Sequence, residues 1–121
     1  MTRRVLRLRR HTVIVSLYNP KEKIWGVLLA IVPEGIWVHG IELASFDDWS
    51  RELARQEGER HTVIGMSTMF FPMHRVERIV IDEAAGTAMS LAEQFRMRVG
   101  KDIFDWIDWD TVESIFQWEP A

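Results

Sequence analysis

The chain has 121 residues, 47% of them apolar and 27% charged, a balance that supports one packed domain and excludes a chain disordered by composition. It holds no cysteine, which excludes a disulfide framework, a zinc–thiolate site and a cysteine nucleophile. The net charge of −3 conceals an asymmetry: residues 1–10 hold five arginines and no acid, whereas residues 101–121 set Lys101 against Asp102, Asp105, Asp108, Asp110, Glu113 and Glu119.

The chain starts with a basic arm, residues 1–10, carrying Arg3, Arg4, Arg7, Arg9 and Arg10. Its apolar positions are broken by Arg7, Arg9 and Arg10, which is not the pattern of a signal peptide. No apolar run reaches the roughly 18 residues of a membrane helix, so a cytoplasmic protein is expected, with no membrane contact. Thr12 to Tyr18 is rich in β-branched residues and reads as a strand. Asn19-Pro20-Lys21-Glu22 supplies turn chemistry. Lys23 to Val32 reads as a long apolar strand, with Gly26 marking a bulge or bend. Pro33-Glu34-Gly35 turns the chain into a return strand, Ile36 to Leu43.

The period then changes from two to about four. Ser45 followed by Asp48 resembles a capping box, and Phe46, Trp49 and Leu53 share a helical face, which predicts a helix over 46–57 ended by Gly58. His61 to Phe71 returns to strand character up to Pro72. The spacing of Val76 and Ile79 suggests a 3₁₀ turn before a last strand, about Arg78 to Asp82. Ser90 and Glu93 form a capping box for a helix whose Leu91, Ala92, Phe95 and Val99 share one face, and Gly100 stops it. Asp102 can cap a further segment in which Ile103, Trp106, Ile107, Val112, Ile115 and Phe116 are the apolar positions.

These elements predict a single domain over 1–121, mainly β with helices. Its core, 11–83, is a small, strongly bent antiparallel sheet or a small barrel, with the helix 46–57 inserted and a helical tail over 88–121. The bent strand Ile24-Trp25-Gly26-Val27-Leu28, the hairpin through Gly35 and the run Phe70-Phe71-Pro72-Met73-His74-Arg75-Val76-Glu77-Arg78-Ile79 resemble the Sm-like five-stranded barrels over about residues 10–83. The run Phe70 to Arg78 also resembles a stretch shared by a set of bacterial proteins, a likeness that brings no function with it. The Sm-like resemblance implies a small barrel that binds RNA. The RNA-binding loop of that family carries an Asp and a Met-Asn pair, however, and Ile31 to Trp37 here contains neither. An arginine-rich arm also stands where that family has a helix.

For chemistry, His11, His39, His61 and His74 show no metal-ligand spacing, and no phosphate loop, nucleophile elbow or catalytic carboxylate pair is present. No catalytic residue, metal or cofactor is therefore assigned. Asp102, Asp105, Asp108 and Asp110 lack the alternation and central Gly of a calcium loop, and read as a solvated face around Trp anchors. His74 and Arg75, beside Pro72, read either as an anion-facing pair or as caps on the turn, with Glu77 neutralising an arginine. The five arginines of the arm can neutralise phosphates, or pair with the acidic tail within one chain or between two. Trp106, Trp109, Phe116 and Trp118 are of the types that anchor interfaces, and equally of the types that complete a small core. The leading expectation is a non-enzymatic module that forms homo-oligomers, or takes a protein partner, through its tail or its barrel edge. The alternative is a nucleic-acid-binding barrel using the arm.

Overall fold

A computed structural model describes residues 11–56 and 65–114. The basic arm, the predicted stop at Gly58, His61, Phe116 and Trp118 lie outside the described residues.

Five strands form one antiparallel sheet: β1 (Val13–Leu17), β2 (Glu22–Val32), β3 (Gly35–Glu42), β4 (Ser67–Pro72) and β5 (Val76–Ile81). Their spatial order is β4-β3-β2-β1-β5, so the long β2 lies at the centre and β4 and β5 lie at opposite edges. Alternation of side chains divides the sheet's residues between two cores. One contains Val13, Val15, Leu17, Ile24, Leu28, Ile36, Val38 and Phe71, together with the partly buried Ile31, Met69, Val76, Ile79 and Ile81. Every one of these residues is on a strand. No described helix contributes a residue to this core. The other face contributes Trp25, Val27, Leu29 and Ile41 to a second core shared with the helices. From Ile24 to Val32 β2 is apolar, because this stretch is covered on both faces.

Two local features mark the pairing of β2 with β3. Gly26 and Gly40 face each other across β2 and β3. A methyl on Gly26 would strike the His39 carbonyl and the Gly40 Cα, and one on Gly40 would strike the Trp25 carbonyl, so the two backbones cross at a distance only glycine allows. The bulge itself lies further along, between Leu28 and Ala30, and not at Gly26 as the sequence suggests. β4 and β5 do not pair with each other among the described residues. The described molecule is thus a five-stranded antiparallel sheet with helices, and the closed barrel is not formed.

The helices are α1 (Phe46–Arg55), α2 (Leu91–Val99), α3 (Ile103–Trp106) and α4 (Trp109–Ser114). A 3₁₀ turn, Leu43–Ser45, leads into α1, and Ser45 makes no side-chain cap. The capping box expected there does not form, because the turn already holds Ser45 in the helical region. At Ser90 the side-chain cap does form: Glu93 N–H donates to Ser90 Oγ at 3.1 Å, and Ser90 Oγ in turn donates to Glu93 Oε1 at 3.0 Å. Gly100, at φ 85°, closes α2. The final segment is two short helices rather than one. Asp102 caps the first through Phe104 N–H at 2.8 Å, and Asp108 restarts the second by accepting from Thr111 N–H and Oγ1 at 3.3 and 2.7 Å. Those same Thr111 bonds hold the Asp108 carboxyl below the usual carboxylate range.

The tail helices complete the second core. Phe95, Ile103, Ile107 and Val112 are buried in it with Phe46 and Trp49 of α1. Arg98 fixes α2 to α1, donating to Asp47 Oδ1 at 2.8 Å and Ser50 Oγ at 2.9 Å, and its guanidinium lies 5.8 Å from the Phe46 ring centre. That bond from Arg98 lowers the Asp47 pKa.

Candidate functional site

Three places in the described molecule gather polar or aromatic side chains. The first is built on Asp82, which follows β5. Its carboxylate accepts from Thr12 Oγ1 at 2.7 Å, Trp25 Nε1 at 3.0 Å, Leu91 N–H at 2.9 Å and Ala92 N–H at 3.0 Å. Its own N–H donates to the Thr12 carbonyl at 2.9 Å. One side chain therefore joins the start of β1, the centre of β2 and the N-terminus of α2, where the helix dipole favours a negative charge. Both carboxylate oxygens are engaged in structure. The sequence points to Asp82 only as a strand end, because its donors come from residues as far as 70 positions away.

The second is the joint between β4 and β5, where the sequence places His74 and Arg75. The 3₁₀ turn is Met73–Arg75, and β5 starts at once with Val76. The turn thus lies earlier than the Val76–Ile79 spacing suggests, because Val76 and Ile79 both belong to the strand-only core. Arg75 does not face outward for an anion. Its Nε donates to the Tyr18 carbonyl at 3.3 Å, and its Nη2 to the Pro20 carbonyl at 3.0 Å and Glu22 Oε1 at 3.1 Å. Tyr18 N–H returns a bond to the Arg75 carbonyl at 3.1 Å. Asn19, at φ 55°, and a cis Asn19–Pro20 peptide shape the β1–β2 turn that Arg75 holds. Its carboxylate partner is Glu22. His74 is exposed and is not brought together with the arginine's contacts.

The third is an aromatic cluster. Trp25, Phe46, Trp49, Phe95 and Trp106 meet at centroid distances of 4.9 to 6.5 Å. Trp49 Nε1 is buried there without a hydrogen-bond partner, surrounded by rings that offer only weak N–H···π acceptance. Trp106, read from sequence as an interface or core residue, packs against Trp49 and Phe95 at 5.5 and 5.8 Å. Trp109 stacks on Phe104 at 6.0 Å and donates from Nε1 to the Phe104 carbonyl at 2.7 Å. The two described tail tryptophans thus pack against this chain's own helices.

Compared with family models, with curated proteins and with solved structures, the chain matches none. Among the described residues, no three His, Asp or Glu side chains gather as a metal site, and no helix is long and apolar enough to cross a membrane. A shallow cleft of about 400 Å³, lined by Lys21, Glu22, Lys23, Glu42, Leu43 and Ala44, mixes both charges.

What remains open on the surface is the pair of sheet edges. β4 and β5 are six residues each, and on their outer sides neither has a strand partner among the described residues. Each carries an exposed apolar side chain on the helix-bearing face: Phe70, 37% exposed, beside Trp37, and Val80, 45% exposed, opposite Ile14. Val80 could be singled out from sequence only by counting outward positions along β5, and that requires the strand to begin at Val76.

Proposed function

We propose that this chain is a non-enzymatic interaction module that self-associates, the β4 edge of one copy pairing with the β5 edge of the next. The observation that carries the reading is the match between the two edges. They are equal in length, neither has a strand partner on its outer side among the described residues, and both expose a large apolar residue on the same face of the sheet. Edges of this kind are templates for pairing, and soluble proteins usually blunt them. Pairing β4 with β5 of a neighbour would set Phe70 near the neighbour's Val80 and extend the strand-only core across the junction.

The strand order β4-β3-β2-β1-β5, with a 3₁₀ turn before the last strand, supports taking the sheet as an Sm-like barrel left open for a neighbour. The polar clusters support a role without catalysis, since Asp82 and Arg75 are engaged in holding elements together. The cysteine-free composition suits a cytoplasmic setting.

Val80→Lys tests the reading. Val80 is partly exposed, so lysine is tolerated in the monomer but blocks the edge. The wild-type chain should show a mass above one copy by light scattering, and V80K should show the monomer mass with a cooperative melting transition that does not depend on protein concentration. A wild-type chain that stays monomeric at high concentration, or a V80K chain of wild-type mass, would overturn it.

A further inference from the structure

We infer that Arg75 sets how many copies the assembly contains, by fixing the angle between the two strands that would pair. The inference rests on the edge-to-edge reading above. In a head-to-tail assembly, the rotation from one copy to the next decides whether the chain of copies closes into a ring, and at what number. Here the pairing strands are β4 and β5 of the same copy, held relative to each other through β3, β2 and β1 and linked directly along the chain by the turn Met73–Arg75. What holds that turn therefore bears on the angle of one interface to the other.

Two attachments hold it. At its start, Met73 N–H donates to the Glu34 carbonyl at 2.9 Å, tying the end of β4 to the β2–β3 turn. At its end, the Arg75 fork spans the Tyr18 and Pro20 carbonyls and Glu22 Oε1, tying the start of β5 to the β1–β2 turn. The guanidinium also lies 6.0 Å from the ring centre of Phe71, a β4 residue of the strand-only core, so the side chain that holds the start of β5 also faces the end of β4. A planar fork of fixed geometry can hold such an angle, whereas the single mobile ammonium of lysine cannot bond all three acceptors in the same way. Arg75 is thus a positioning residue: it lies at the joint and acts through the strands on either side.

The experiment compares the full-length wild type, R75A, R75K and E22Q by native mass spectrometry and light scattering, with melting temperature as the check on folding. The wild type should give one discrete copy number. R75A and R75K should remain associated but spread over several copy numbers, because both edges survive and only the angle between them is loosened. E22Q, which keeps an acceptor for the fork, should retain the wild-type number. If R75A does not fold, R75K decides the matter. Folded R75 variants that keep the single wild-type copy number would overturn the inference while leaving edge pairing intact. A monomeric wild type would overturn both.

Discussion

His39 illustrates how a single side chain in the sheet ties pH to stability. It lies on β3, and its Nδ1 is 2.9 Å from Thr68 Oγ1 on β4, so it bridges an inner strand to an edge strand. Burial disfavours the charged imidazolium and lowers its pKa from the ordinary 6.5. The sign follows from proton binding. Below 6.5 the unfolded chain takes up a proton that the folded chain resists, so the unfolded state gains. The stability owed to neutral His39 is therefore fully present above 6.5 and is lost as pH falls through that value toward the folded pKa. H39Q, which can still bond Thr68 but does not titrate, should show a shallower fall in melting temperature across this window than the wild type. Equal slopes for the two proteins would rule the account out. The same scale contains the limits of sequence reading. Gly26 is visible as a departure from strand composition, but its cause is Gly40 on the neighbouring strand, and that pairing depends on a register no local pattern encodes.

Elements were legible where the signal is local. The β-branched run of β1, the apolar length of β2 and the shared faces of α1 and α2 all follow from side chains within one window. The Ser90 cap formed because donor and acceptor lie three residues apart, whereas the similar pattern at Ser45 was overridden by the turn that delivers the chain from β3. What sequence left open was whether the tail is core or interface, because a tryptophan suits both. Packing answers this for the described part: Phe95, Ile103, Ile107 and Val112 are buried against α1 and β2. The attachment of that tail depends on Asp82, whose carboxylate receives the first two amides of α2 and the Trp25 indole. Removing it leaves several donors without an acceptor, each a desolvation cost on the scale of a lost hydrogen bond. Asp82→Ala should lower the unfolding free energy by about 3 kcal/mol. It should also speed amide exchange in α2 more than in β3, which Asp82 does not touch. Urea denaturation and hydrogen exchange measure both, and a loss within about 0.5 kcal/mol, the range of an ordinary surface change, would contradict this role.

At the scale of the whole molecule, the two edges make different predictions according to which meets which. If β4 meets β5, the interface is heterologous, and a chain with one damaged edge still has a sound one for a partner with the opposite damage. Phe70→Lys damages only the β4 edge and Val80→Lys only the β5 edge. F70K also loses the ring contact with Trp37 at 5.0 Å, so its melting temperature sets the range in which the comparison is made. Each variant alone should then be monomeric, because its sound edge meets only damaged ones. An equimolar mixture should form a heterodimer and nothing larger, since the β4 edge of V80K pairs with the β5 edge of F70K and the two remaining edges are both blocked. Isologous pairing of β4 with β4, or of β5 with β5, gives the reverse pattern. V80K or F70K would dimerise alone, and mixing would add nothing. Light scattering on the two variants and their mixture separates the arrangements without any knowledge of copy number. Homodimers in either single variant would exclude the head-to-tail order on which the role of Arg75 depends.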